Sequence, residues 1–154
     1  MAILNKKIDK QNLLYRMGFL TRRWRQMLDS AFQSLGLTDA AWRPLLHLHH
    51  MGDGIRQKDL AASLGIEGPS LTRILDQLIA KGLIERNEDA SDRRAKLLTL
   101  TPPGREMVSR ITKEVTALEH DLLSELTDPE LDLMFGFVER LEKRLQETRS
   151  ALKS

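Results

Sequence analysis

Ser70, Arg73 and Gln77 stand at i, i+3 and i+7 of one stretch, a spacing that lines them along one face of a helix. Their side chains are a hydroxyl, a guanidinium and an amide, the groups that read base edges in a major groove or grip phosphates. A solvated face on an ordinary surface helix has the same spacing, so the triplet alone leaves both readings open. Further along, the run Asn87 to Lys96 gathers Arg93, Arg94 and Lys96 in a polar loop between two short apolar segments. Cations at the tip of a β-ribbon suit a narrow minor groove, where negative potential is concentrated. Asp92, two residues before Arg94, is spaced to hold that guanidinium through a charge-assisted hydrogen bond. Taken alone, the loop also fits a charged surface turn. Helix and ribbon in direct succession point to nucleic acid.

Other chemistries find less support. His47, His49 and His50, with His120 as a distant fourth, invite a zinc reading. Adjacent histidines on a helix point apart, however, and no carboxylate lies three or four residues from His47. The chain has no Cys, which excludes disulfides, thiolate metal sites and cysteine nucleophiles. Neither a Gly-rich phosphate loop nor a Gly-x-Ser-x-Gly elbow occurs, so no enzyme and no cofactor are expected.

The elements that must position these residues follow from periodicity. Leu13, Met17, Leu20, Trp24, Met27 and Ala31 mark one face of a helix ending near Gly36. Thr38 is expected to cap a second helix carrying Ala41, Trp42, Leu45, Leu46 and Leu48. Gln57–Leu64 and Pro69–Lys81 read as two short helices around Gly65, with Leu60 and Leu64 facing Leu71, Ile74, Leu75 and Leu78. That is the layout of a helix-turn-helix. Leu83–Arg86 and Leu97–Thr101 read as two strands. A long helix from Pro102 carries Met107, Ile111, Val115, Leu118, Leu122 and Leu126. Asp128-Pro129 supplies an N-cap and a first-turn proline for the last helix. Along it Leu131, Met134, Val138, Leu141, Leu145 and Leu152 form a heptad seam, which calls for a partner helix surface.

The chain's 154 residues, 41% hydrophobic and 30% charged, suit a single domain with a real core. The net charge of +2 conceals an asymmetry of +5 over residues 1–52, zero over 53–100 and −3 over 101–154. A general basic coat is therefore excluded, and DNA must be met by a few placed cations. Lys6, Lys7 and Asp9 interrupt the first apolar residues, so no signal-peptide core is read. No apolar run approaches the roughly 18 residues of a membrane helix. A cytoplasmic protein without membrane contact is expected.

The segments Ile66-Glu67-Gly68-Pro69-Ser70-Leu71-Thr72-Arg73, Lys81-Gly82-Leu83-Ile84-Glu85-Arg86 and Ser91-Asp92-Arg93-Arg94-Ala95-Lys96, followed by Leu98-Thr99-Leu100-Thr101 and Gly104, resemble the MarR family, and within it the SlyA-like branch. The resemblance covers nearly the whole chain. It departs where Ala90 takes a place often filled by proline, and it lacks the cysteines of the oxidation-sensing branches. It implies a mainly α protein with a small β-hairpin wing, in a single domain over 1–154. A winged helix-turn-helix would occupy about 54–101, with dimerisation helices at about 8–35 and 103–153. It further implies a homodimer on a pseudo-palindromic duplex operator, a repressor released by a small aromatic or phenolic ligand. Pro69, Ser70 and Arg73 match the recognition-helix positions and Arg94 the wing arginine. The candidate DNA-contacting set is therefore Pro69, Ser70, Thr72, Arg73 and Gln77 with Arg93, Arg94 and Lys96. Effectors of the family lie between the dimerisation helices and the DNA-binding lobe. That suggests Tyr15, Arg22, Trp24, Trp42, His47 and Met51 as the wall of a site for an aromatic anion. Helical scaffolding through the winged fold, or a metal-responsive regulator, are the alternatives.

Overall fold

A computed structural model of the protein describes residues 12–38 and 41–153. The expected helix start near residue 8 lies outside them. Helix α1 (Leu13–Phe32) passes into a 3-10 turn, Gln33–Leu35, closed by Gly36 in the left-handed region. Next come α2 (Trp42–Met51), β1 (Ile55–Arg56), α3 (Gln57–Leu64), α4 (Gly68–Ala80), β2 (Ile84–Glu88), β3 (Lys96–Leu100), α5 (Pro102–Leu123) and α6 (Asp128–Leu152). The strands form one antiparallel sheet in the order β1-β3-β2. The fold is thus mainly α with a small β wing, as expected. Contacts divide the chain into a unit through Val115 and a second from Thr116 onward.

In the first unit the core gathers Leu45 and Leu48 of α2, Leu60 and Leu64 of α3, and Leu71, Ile74, Leu75 and Leu78 of α4. Ile84, Leu98 and Leu100 of the sheet and Val108 and Ile111 of α5 join it, as do Phe32 of α1 and Trp42 of α2. Each such side chain contributes on the order of 1.5–3 kcal/mol by leaving water. The turn between α3 and α4 is set by Gly65 at φ 64. Gly65 N–H donates to Ala62 O at 3.3 Å and Ile66 N–H to Ala61 O at 3.1 Å, a Schellman closure that requires the left-handed residue.

Helix α1 keeps its periodic stripe largely outside the core, and several other expectations are corrected. Leu28 and Phe32 are the buried residues of α1, while Leu13, Leu20 and Met27 are exposed. The reason is local: Trp42 packs its ring on Phe32, centroids 5.4 Å apart, and donates its indole N–H to Asp29 Oδ1 at 2.6 Å. Only the end of α1 beside α2 is therefore covered, on a face one step from the periodic stripe. Helix α2 is preceded by Ala41 with no side-chain cap; Thr38 offers its carbonyl to Ala41 N–H at 3.0 Å instead of its hydroxyl. Strand β1 was not expected, because two residues show no period. Helix α5 ends at Leu123, before Leu126, and buries Val108 rather than Met107. Thr127, not Asp128, is the N-cap of α6. Glu130 N–H donates to Thr127 Oγ1 at 3.4 Å, and Thr127 N–H to Glu130 Oε2 at 2.8 Å, the reciprocal pair of a capping box.

Helix α6 buries none of its residues. Met134, Val138, Leu141 and Leu145 of the seam are all exposed. No helix among the described residues is long and apolar enough to cross a membrane.

The sheet is joined to α5 through a tight junction. Thr101 N–H donates to Leu83 O at 3.1 Å and its hydroxyl to Gly82 O at 2.6 Å, while Gly104 N–H donates to Thr101 Oγ1 at 3.0 Å. A Cβ on Gly104 would lie 1.9 Å from Leu83 O. Since that oxygen is backbone, Gly104→Ala should force the helix off the sheet and cost about 1–3 kcal/mol or more. Urea unfolding should show a lowered midpoint with an unchanged slope; a parental midpoint would mean that the junction is looser than described.

Candidate nucleic-acid interface

Helix α4 sinks Leu71, Ile74, Leu75 and Leu78 into the core, and its 3.6-residue repeat turns the opposite face to solvent. Pro69, Ser70, Arg73 and Gln77 all lie on that exposed side. Thr72 is different. Its hydroxyl donates to Gly68 O at 2.9 Å and accepts from Gln57 Nε2 at 2.9 Å, so it pins the start of α4 to the start of α3. From α2, Arg43 donates to Leu64 O at 3.2 Å, satisfying a carbonyl at the end of α3. Asp76, on the exposed face of α4, pairs with Arg86 of β2 at 2.9 Å. The Nε and Nη2 groups of Arg86 are buried without a partner among the described residues.

The β2–β3 hairpin presents Arg93 and Arg94 at its tip, both exposed. Its loop is fixed by the backbone bonds Asp89 N–H to Ala95 O, Asp92 N–H to Asp89 O and Ala95 N–H to Asp92 O, at 3.1, 3.2 and 2.9 Å. Asp92 takes part, but not as expected. Its Oδ1 accepts from the backbone N–H of Arg94 at 3.0 Å, so it shapes the turn and leaves the guanidinium alone. At the neck of the loop, Asp89 Oδ1 accepts from both N–H and Oγ of Ser91, at 2.9 and 2.7 Å, and its Oδ2 pairs with Arg56 of β1 at 2.9 Å. Lys96 lies across from Glu88 in register and pairs with it at 3.3 Å. The wing thus has two cations at its tip and two balanced at its base. Arg56, Gln57 and Lys58 join this surface through β1 and the first turn of α3. Sequence reading missed them, because no local period links them to a hairpin some thirty to forty residues away.

The suggested effector residues lie on α1 (Tyr15, Arg22, Trp24) and α2 (Trp42, His47, Met51) and differ in burial. Trp42 is buried in the core against Phe32 and Asp29, Trp24 is half-buried, and Arg22, Tyr15 and Met51 are exposed. Tyr15 leans on Phe19, ring centroids 6.0 Å apart. His47 Nδ1 shares a hydrogen bond with Ser63 Oγ at 3.2 Å. Its pKa is pushed down by burial, then by Arg43 and His50, which favours a neutral ring bridging α2 and α3. No hydrogen bond or ring contact joins any two of these six residues. Among the described residues no three His, Asp or Glu side chains converge as a metal site would require.

This geometry, a helix-turn-helix with an exposed polar second helix and a basic β-ribbon, defines the class of winged-helix proteins. A family model described as MarR family matches residues 35–95. The solved transcriptional regulator PA3341 is 35% identical, with 86% of this chain and 97% of that one covered at a TM-score of 0.77. The structure of MarR is 28% identical over 96% and 97% of the two chains, TM-score 0.80. MepR of S. aureus, solved with DNA, is 27% identical over 89% and 99%, TM-score 0.71. The chain belongs to the MarR family of transcriptional regulators.

Hydrogen bonds from the Ser91 hydroxyl and amide, more than the Arg56 guanidinium, hold the Asp89 carboxyl below the usual Asp range. A carboxyl lowered on folding adds stability above its unfolded pKa and loses it as pH falls through the folded value. The loop should therefore be fully held at neutral pH and loosen only in acid. In an NMR titration, Ser91→Ala should raise the Asp89 midpoint more than Arg56→Gln does. The reverse order would make the ion pair, rather than the turn, the principal restraint.

Proposed function

We propose that the protein is a homodimeric, sequence-specific DNA-binding regulator, acting as a repressor in the cytoplasm where its DNA target resides. The observation that carries this reading is the exposed face of Ser70, Arg73 and Gln77 on α4 beside the Arg93-Arg94 wing tip. The DNA-binding part would span about 54–101. The helices at about 8–35 and 103–153 would dimerise it. Support for the dimer comes from α6, whose 25 residues bury nothing while exposing Met134, Val138, Leu141 and Leu145. At about 1.5 Å per residue such a helix reaches roughly 37 Å, and that long an apolar seam is stable in water only against another surface. Two recognition helices on one face of B-DNA must stand about 34–36 Å apart, which a dimer of elongated helices can supply.

A mobility shift with the protein's own promoter region tests the reading. Arg73→Ala should weaken binding by about 1–3 kcal/mol, and binding-site selection should show relaxed discrimination at one position per half-site. Leu141→Glu with Leu145→Glu should sediment as monomer and lose operator affinity beyond any loss of helix. A parental affinity in both variants would send the reading back to a scaffold that uses the winged fold for protein contacts.

Release by a small aromatic anion would work by favouring dimers whose recognition helices are wrongly spaced. Trp42, buried between α1 and α2, is the natural reporter. Salicylate should change its fluorescence and lower DNA affinity together. Flat fluorescence with constant affinity across a panel of aromatic acids and phenols removes the effector from the proposal.

A further inference from the structure

A cleft of about 330 Å³ opens between the wing and the first turn of α3. Its walls include Arg94 and Lys96 from the wing, Arg56 and Lys58 from β1 and α3, and Gly68 at the start of α4. Four cations line it and no carboxylate does. Two of the four are already balanced, Arg56 by Asp89 at 2.9 Å and Lys96 by Glu88 at 3.3 Å. The side chains of Lys58 and Arg94 have no partner among the described residues. Lys58 is also badly placed for its own helix. It stands in the first turn of α3, at the positive end of the helix dipole, where a cation is unfavourable. Helix stability therefore does not account for it, whereas an anion seated in the cleft would.

We propose that this cleft is a seat for one backbone phosphodiester of duplex DNA, held by Lys58 from one side and Arg94 from the other. The inference rests on the DNA-binding reading and adds to it a contact in which Lys58, outside both the recognition helix and the wing, joins Arg94 of the wing tip. A protein that sets a helix in a major groove and a ribbon tip toward the adjacent minor groove must straddle the sugar–phosphate strand between them. In this chain the start of that helix and the descending arm of that ribbon are opposite walls of the cleft. The strand dividing the grooves therefore crosses the cleft mouth. Lys58 meets it as a point charge and Arg94 as a planar fork. Arg56 and Lys96 keep the walls positive while their own acidic partners hold the arms in place.

Phosphate contacts are independent of sequence, so the test needs no knowledge of the operator. Binding of the full-length protein to a duplex of arbitrary sequence is followed as log affinity against log salt. Lys58→Ala should weaken binding several-fold at low salt and make the slope shallower by about 0.9 per subunit. Lys58→Arg should keep the parental slope. Lys113→Ala removes the same charge from the exposed surface of α5 and should also keep it. Melting of Lys58→Ala should be unchanged or slightly raised, since a misplaced first-turn cation is gone.

A parental slope in Lys58→Ala, or an equal change in Lys113→Ala, overturns the seat. If Arg73→Ala weakens operator binding while Lys58→Ala does nothing, the seat fails and the regulator stands. A wild-type protein that binds no duplex at any salt overturns both. Inorganic phosphate replacing chloride at constant ionic strength separates the two sources of the same chemistry. Millimolar phosphate shifting the Lys58 NMR signals, with the duplex slope unaltered by Lys58→Ala, would make this a site for free anions and overturn the DNA assignment.

Discussion

The outward aim of the polar face of α4 depends on the burial of one apolar stripe. Leu71, Leu75 and Leu78 are fully buried and Ile74 nearly so, and together they lock the rotation of α4 about its axis. Turning the helix by one residue would swing roughly 100° of that stripe into water, at a cost of several kcal/mol. Ser70, Arg73 and Gln77 point outward because that stripe points inward. The polar link that does matter, Gln57 to Thr72 to Gly68 O, sets the crossing of α3 on α4, and the left-handed Gly65 lets the two helices meet.

The wing needs a different support. A two-stranded hairpin is marginal in water, and β2–β3 alone would leave its loop poorly fixed. The third strand changes this at small cost in chain. Two residues of β1 pair with Leu97 and Leu98 of β3, and Leu98 is fully buried beneath the sheet. From that strand Arg56 reaches Asp89, which in turn holds Ser91. Restraint passes from the core through the sheet to the neck of the loop, and the backbone bonds of Asp92 carry it on to the tip. The Thr101–Gly104 junction anchors the other end of β3 to α5 in the same way.

How much of this is legible in sequence depends on how far apart the causes lie along the chain. The bounds of α3 and the buried stripe of α4 follow from residues within one turn of each other, and periodicity shows them. The wing cations are legible because a polar loop between two apolar segments is also local. The buried face of α1 is not, because Trp42 and α2 decide it from outside the helix. Neither is β1, which exists only through its pairing with residues some forty positions on. The place of Arg56 and Lys58 on one cleft with the wing is hidden from sequence for the same reason. Asp92 was legible as a restraint but assigned to the wrong atom, since spacing cannot separate the backbone N–H of Arg94 from its guanidinium.

Charge shows the same distinction between counting and placing. Residues 53–100 hold eight basic and eight acidic side chains, a balance that by itself argues against a nucleic-acid surface. The structure removes that objection by pairing. Asp53 is taken up by Arg105, Asp76 by Arg86, Glu88 by Lys96 and Asp89 by Arg56, at 2.5, 2.9, 3.3 and 2.9 Å. Pairs this close look nearly neutral beyond the Debye length of about 8 Å at physiological salt. The field that reaches a ligand is therefore set by charges outside such pairs. At the wing and the mouth of its cleft those are the cations Arg93, Arg94 and Lys58 against the carboxylate Asp92, which is held to the Arg94 backbone N–H. A segment neutral by composition can thus present a positive edge. Two of its carboxylates, Glu88 and Asp89, are spent on holding the cations Lys96 and Arg56 that frame that edge, and two more, Asp53 and Asp76, are paired elsewhere.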